Sequence, residues 1–171
     1  MFKLHKRSKN PYIIDSVFNL EKYFLNLNTC YIGFDLDFLL YTLPKLKNWN
    51  NIFSNHSIVV TSETIQYIYL NKDSKDLFIR YAYNFICEIS KVFPFFVIPE
   101  TQNATVFQEF MTSHNLNITD RDERCITYYN FFEKQLSLSK SITLFTSSVT
   151  NRDVAEQLSM KNIVYFPKDE S

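Results

Sequence analysis

Residues 141–166 read SITLFTSSVTNRDVAEQLSMKNIVYF. Ile142–Phe145 is a short apolar run that predicts a strand, and Ile163–Phe166 predicts another. Between them lie a polar loop, Thr146–Asn151, and a helical segment, Arg152–Met160. Two antiparallel strands need only a tight turn between them. A helix is the connection that parallel neighbours require.

The same rhythm extends upstream. Tyr31–Phe34, Ser57–Thr61 and Phe95–Ile98 predict three more strands. The consecutive Ile58, Val59 and Val60 predict a strand buried on both faces. Helices are predicted over Val17–Leu27 behind Ser16, Glu63–Leu70 behind Ser62, Lys75–Phe93, residues 104–113 and Arg121–Leu136. The third carries the clearest apolar stripe, Phe78, Ile79, Ala82, Phe85, Ile86 and Ile89. Phe38 to Trp49 predicts a helix split at Pro44, and residues 50–56 a loop. The resulting expectation is an α/β fold, a three-layer α/β/α sandwich around a central, mostly parallel five-stranded sheet. One domain spans 12–168, after a flexible basic arm at 1–11 that holds Lys3, His5, Lys6, Arg7 and Lys9.

Composition removes several function classes. The chain has 171 residues, 46% hydrophobic, with 17 Phe and 11 Tyr, enough to bury a core without staples. Its one glycine, Gly33, excludes the dinucleotide fingerprint and the phosphate-cradling P-loop, which need several. Eighteen basic residues balance eighteen acidic ones, which argues against a protein that coats nucleic acid electrostatically. Cys30, Cys87 and Cys125 form no CxxC pair, so neither a zinc site nor a disulfide framework is expected. No leader-like segment and no long apolar run is present, so the expectation is an intracellular protein of cytoplasm or nucleus, with no membrane partner. No Ser or Cys sits in a nucleophile motif.

Ligands of parallel α/β sheets gather at the carboxyl ends of the strands. That singles out Asp35 and Asp37, then Ser62–Gln66, then Thr146–Asn151. Asp120, Asp122 and Glu123 open the helix before the fourth predicted strand, and Asp153 lies beyond that strand. Carboxylates converging at one sheet edge are what Mg²⁺ or Mn²⁺ needs for phosphodiester hydrolysis. The same acids at helix starts also serve as caps and dipole partners. Among the aromatics, Trp49 reads as a core-closing residue. The density of Tyr67, Tyr69, Tyr81, Tyr83, Tyr128 and Tyr129 is enough to leave some of them exposed, and an exposed aromatic face suggests a partner surface, the alternative being a core rich in Phe and Tyr.

From Tyr31 to Phe166 the chain resembles the PIN domain, a nuclease fold of RNA-processing and toxin endonucleases. YIGFDLDFLL at 31–40 resembles the family's first strand and invariant acid, which falls on Asp35, with Asp37 at the following polar position. SIVVTSETIQYIYL at 57–70 resembles the strand and helix that carry a metal-binding Glu. That position holds Gln66, with Glu63 one turn earlier. DRDERCITYYNFF at 120–132 places Asp122 at the third acid. In residues 141–166 the fourth acid falls on Asn151, with Asp153 two residues on. A competing register takes YIIDS at 12–16 as the first strand, with Asp15 as the invariant acid and Glu63 as the second.

Two amides at acid positions remove charge that divalent ions need. The resemblance is therefore to PIN-like proteins with a degenerate active site that act as adaptors, such as the small fungal PIN-domain factors of nonsense-mediated mRNA decay. It implies a protein-interaction adaptor in RNA decay or RNA processing, without a cofactor. The implied partner is a protein, for example an RNA helicase or a decay or processing complex, with RNA as a further partner. The alternative it implies is a Mg- or Mn-dependent single-strand endoribonuclease. There Asp35 and Asp122 would be catalytic, Glu63 and Asp153 possible substitutes, and Asp35, Asp122 and Asp153 the metal ligands.

Overall fold

The apolar runs become strands, and the helical stripes pack on both sides of them. The computed structural model describes residues 12–28, 31–100, 104–136 and 140–168. The basic arm, Cys30 and the terminal acids Asp169 and Glu170 lie outside the described residues. The strands are β1 (Tyr12–Ile13), β2 (Tyr31–Phe34), β3 (Ser57–Thr61), β4 (Phe95–Ile98), β5 (Ile142–Thr146) and β6 (Ile163–Tyr165). They form one sheet in the order β1-β6-β5-β2-β3-β4, and each of these pairings is parallel.

The sheet has six strands, not the expected five. The additional one, β1, pairs with β6 at the edge. It is two residues long, and both side chains are exposed, so it carries no apolar alternation to read.

The helices are α1 (Val17–Asn26), α2 (Trp49–Ile52), α3 (Ser62–Leu70), α4 (Leu77–Val92), α5 (Thr105–Ser113), α6 (Arg121–Gln135) and α7 (Val149–Gln157). Successive strand side chains point to opposite faces, and this splits the core in two. Ile58 and Val60 face one layer with Phe24 of α1, Ile68 of α3, and Ile79 and Phe85 of α4. Val59, Ile142 and Leu144 face the other with Phe107 of α5, Ile126 and Tyr129 of α6, and Ala155 of α7. No helix among the described residues is long and apolar enough to cross a membrane.

Several local expectations are corrected. Around Pro44 the chain forms a π-helical turn, Phe38–Thr42, and then a 3₁₀ turn, Leu43–Lys45. Pro44 sits at the start of the tighter turn, where a missing N–H costs little. Part of the predicted loop at 50–56 is the short helix α2, entered through Asn48 in the left-handed region at φ 56°. Thr61 caps α3 in place of Ser62, its hydroxyl accepting from Thr64 N. Helix α7 begins at Val149, three residues before the predicted start, because Ser148 caps it by accepting from Asn151 N at 3.2 Å. Trp49 is half-buried and packs edge-on against Phe85 and Phe93, as a core-closing residue does.

Gly33 occupies the middle of β2 beneath the ring of Tyr129. A Cβ added there would lie 2.7 Å from Tyr129 Cε1. The Tyr129 hydroxyl sits 2.6 Å from the carbonyl oxygen of Phe34 and 3.0 Å from that of Val59. Helix α6 is thereby pinned onto β2 and the adjacent β3.

Candidate functional site

Asp35 directly follows β2, at the centre of the sheet's carboxyl edge. Its side chain is fully buried. One carboxylate oxygen accepts the Phe38 N–H at 2.8 Å, which ties it to the π-helical turn. The other accepts the Thr146 hydroxyl at the end of β5 and the Asn151 amide of α7, the latter at 2.7 Å. Asp35 thus joins three segments that diverge from the sheet edge. Burial pushes its carboxyl up to about 6, against the pull of the Asn151, Thr146 and Phe38 donors, and the Asp37 charge adds to the rise.

Asp37 and Asp122 face outward into a cleft of about 800 Å³. Tyr41, Phe78, Val149, Tyr165 and Pro167 give the cleft apolar walls, and Ser147 and Ser148 add hydroxyls. Lys168 also lines it, with Nζ 3.1 Å from Asp37 Oδ2 and 5.1 Å from the centroid of the Tyr41 ring. The Asp122 carboxylate has no hydrogen-bond partner among the described residues. Half-burial raises its titration point. Arg121 opposes that, Asp37 and Asp120 add to it, and Lys168 opposes it again.

The remaining sequence candidates are placed elsewhere or engaged otherwise. Glu63 receives two hydrogen bonds from Arg124, at 2.7 and 2.9 Å, and one from the Tyr128 hydroxyl at 2.6 Å. This bidentate pair ties α3 to α6. Burial alone would raise the Glu63 carboxyl, but the Arg124 and Tyr128 hydrogen bonds, with the Arg124 and Arg121 charges, hold it below its ordinary value. Gln66 is exposed on α3. Asp153 is exposed and pairs with its neighbour Arg152 at 3.0 Å. Asp15 is exposed just past the edge strand β1, three strands away from β2 in the sheet order.

Two of the acids at the start of α6 are structural. Asp120 caps the helix, accepting from Asp122 N and Glu123 N. Glu123 accepts the Asn117 N–H at 3.1 Å. The structure therefore brings Asp35, Asp37 and Asp122 to one sheet edge. It does not bring Glu63, Gln66 or Asp153 into that group with a free donor. Sequence reasoning missed Thr146, Arg124, Tyr128 and Lys168 as partners of these acids. Only position marked Thr146, which closes the strand beside β2; nothing in the sequence marked Lys168.

A resident Mg²⁺ or Mn²⁺ requires several oxygen donors free to turn toward it. Both oxygens of Asp35 and both of Glu63 are committed within the protein. Asp37 already holds an ammonium. Among the described residues no group of three or more His, Cys, Asp or Glu side chains is placed to hold a metal ion. The residues present do not fit the metal centre that the resemblance implies.

Compared with known proteins, the chain matches no family model and no curated protein sequence.

Proposed function

We propose that this is a non-catalytic PIN-like domain that acts as a protein-interaction adaptor in RNA decay or processing. The observation that carries the reading is the state of Asp35. The acid at the position of the family's invariant metal ligand is buried and accepts hydrogen bonds from Phe38, Thr146 and Asn151. It holds loops together where a nuclease would hold a cation. Asn151 contributes to this as an amide donor, a role that an ionised Asp at the same position would fail.

The partner in this reading is a protein, for example an RNA helicase or a decay or processing complex. The balanced charge favours it over RNA. So does the exposure of Tyr69, Leu70, Leu77, Phe78 and Tyr81 on α3 and α4, since aromatic side chains are enriched at the cores of protein interfaces. The endoribonuclease alternative has Asp37 and Asp122 in its favour, both facing the cleft.

Mn²⁺ calorimetry on the purified chain, with Asp35→Asn and Asp122→Asn as controls, tests the reading. The expected result is no saturable micromolar binding, together with no cleavage of single-stranded RNA in Mg²⁺ or Mn²⁺. Micromolar binding abolished by both substitutions would overturn it.

A further inference from the structure

We propose that Lys168 is a tethered cation that occupies the carboxylate cleft and keeps divalent metal ions out of it. This rests on the non-catalytic reading of the same cleft and deepens it, by naming the group that takes the metal's electrostatic place.

The backbone delivers this lysine to the cleft. The chain is anchored through Phe166, which is buried and whose N–H donates to Thr146 O at 2.9 Å. Pro167 follows, with its fixed φ, and lines the cleft itself. Lys168 then extends over the opening. Its ammonium meets Asp37 at 3.1 Å and the face of Tyr41 at 5.1 Å.

The groups around it are those a cation would seek. Asp37 donates nothing and accepts from Lys168. Asp122 shares the cleft and feels both the Asp37 charge, which raises its titration point, and the Lys168 charge, which lowers it. The hydrogen bond to Asp37 holds the Lys168 ammonium protonated more firmly than an ordinary lysine. Partial burial opposes this, and the Asp37 charge, Tyr41 and Asp35 add to it. An ammonium is a compact point charge with three donors, so it can neutralise the cleft carboxylates in place of a divalent ion. Arg121 supplies the second positive charge that acts on Asp122.

The test is a Mn²⁺ titration of the full chain, read by calorimetry and by loss of the free-ion electron paramagnetic resonance signal. The variants are Lys168→Met, Lys168→Arg and the double variant Lys168→Met with Asp37→Asn. The lysine is partly exposed, so Lys168→Met is expected to fold, with circular dichroism as the check. Lys168→Met is expected to bind Mn²⁺ at least about tenfold more tightly than the natural chain, as removal of a nearby like charge at the protein surface predicts. Lys168→Arg keeps the charge and is expected to match the natural chain. The double variant is expected to lose the gain. Equal affinity of Lys168→Met and the natural chain would overturn this inference and leave the adaptor reading standing. The same holds for a gain in Lys168→Arg as large as in Lys168→Met. Tight binding by the natural chain, abolished by Asp35→Asn and Asp122→Asn, would instead overturn the adaptor reading.

Discussion

Asp35 and Asp37 are two residues apart, yet they belong to different regions of the molecule. Asp35 lies under the sheet edge, sealed from water, and its oxygens are divided among three segments. Asp37 lies above it in an open cleft with Asp122, and its one hydrogen-bonded partner among the described residues is the side chain of Lys168. The first region is a structural node and the second is a surface. An acid at a strand's carboxyl end is therefore not informative until its lone pairs are assigned. Removing a buried, hydrogen-bonded acceptor strands its donors, whereas removing an exposed one hands the site back to water.

The largest effect that would separate the two regions is Asp35→Ala. It leaves the Phe38 N–H, the Asn151 amide and the Thr146 hydroxyl to find other partners, and is expected to cost about 3 kcal/mol. Urea denaturation measures this directly, and a loss under about 1 kcal/mol would erase the distinction. Glu63→Ala comes next, at about 2 kcal/mol, because Arg124 and Tyr128 lose a shared, mostly buried acceptor.

A pH series sharpens the comparison further. The Asp35 carboxyl titrates at about 6 in the folded chain, chiefly because of burial. In the unfolded chain it titrates near the ordinary value, about 4. Between those values the folded state binds more protons than the unfolded state. The Asp35 contribution to stability therefore falls as pH rises from about 4 to about 6, by up to roughly 3 kcal/mol. Asp35→Asn is expected to abolish that slope while staying within about 1 kcal/mol of the natural chain at neutral pH. The buried Asn151 Oδ1 lacks a partner, so its amide can turn and accept from the new Asn side chain. An unchanged slope between those pH values would show that Asp35 does not carry the effect. The smallest effects belong to the open region. Asp37→Asn and Asp122→Asn are each expected to shift stability by no more than about 0.5 kcal/mol.

Five strands and most helices were legible because their apolar residues recur with the periods of buried elements. Ile58–Val60 is flanked by helices on both faces, and of the predicted α4 stripe Ile79, Ala82, Phe85 and Ile89 are buried and Ile86 is half-buried, whereas Phe78 is exposed. What failed was short or local. Strand β1 has too few residues to show a period, and α2 is a single turn whose start depends on one left-handed residue, Asn48. At the site, the convergence of Asp35, Asp37 and Asp122 was readable from strand ends and helix starts. Their individual states were not. Two of the three partners of Asp35 lie 111 and 116 residues away, and those of Glu63 lie 61 and 65 away. No local pattern encodes such pairings. The cap at Ser148 hid a helix start for a local reason, since TSS before a β-branched Val reads as loop until the Asn151 N–H is seen to bond it.

The contact between Gly33 and Tyr129 bears on how this chain can drift. With the Cβ position at Gly33 lying 2.7 Å from the tyrosine ring, bulk at these two places is shared across a sheet-to-helix junction. A methyl group at residue 33 must be repaid by a smaller or displaced side chain at residue 129. The loss of that ring would also release the Phe34 and Val59 carbonyls it bridges. The two positions are therefore expected to vary as a pair, large opposite small. A library randomised at both sites should recover reciprocal size combinations and few variants with bulk at each.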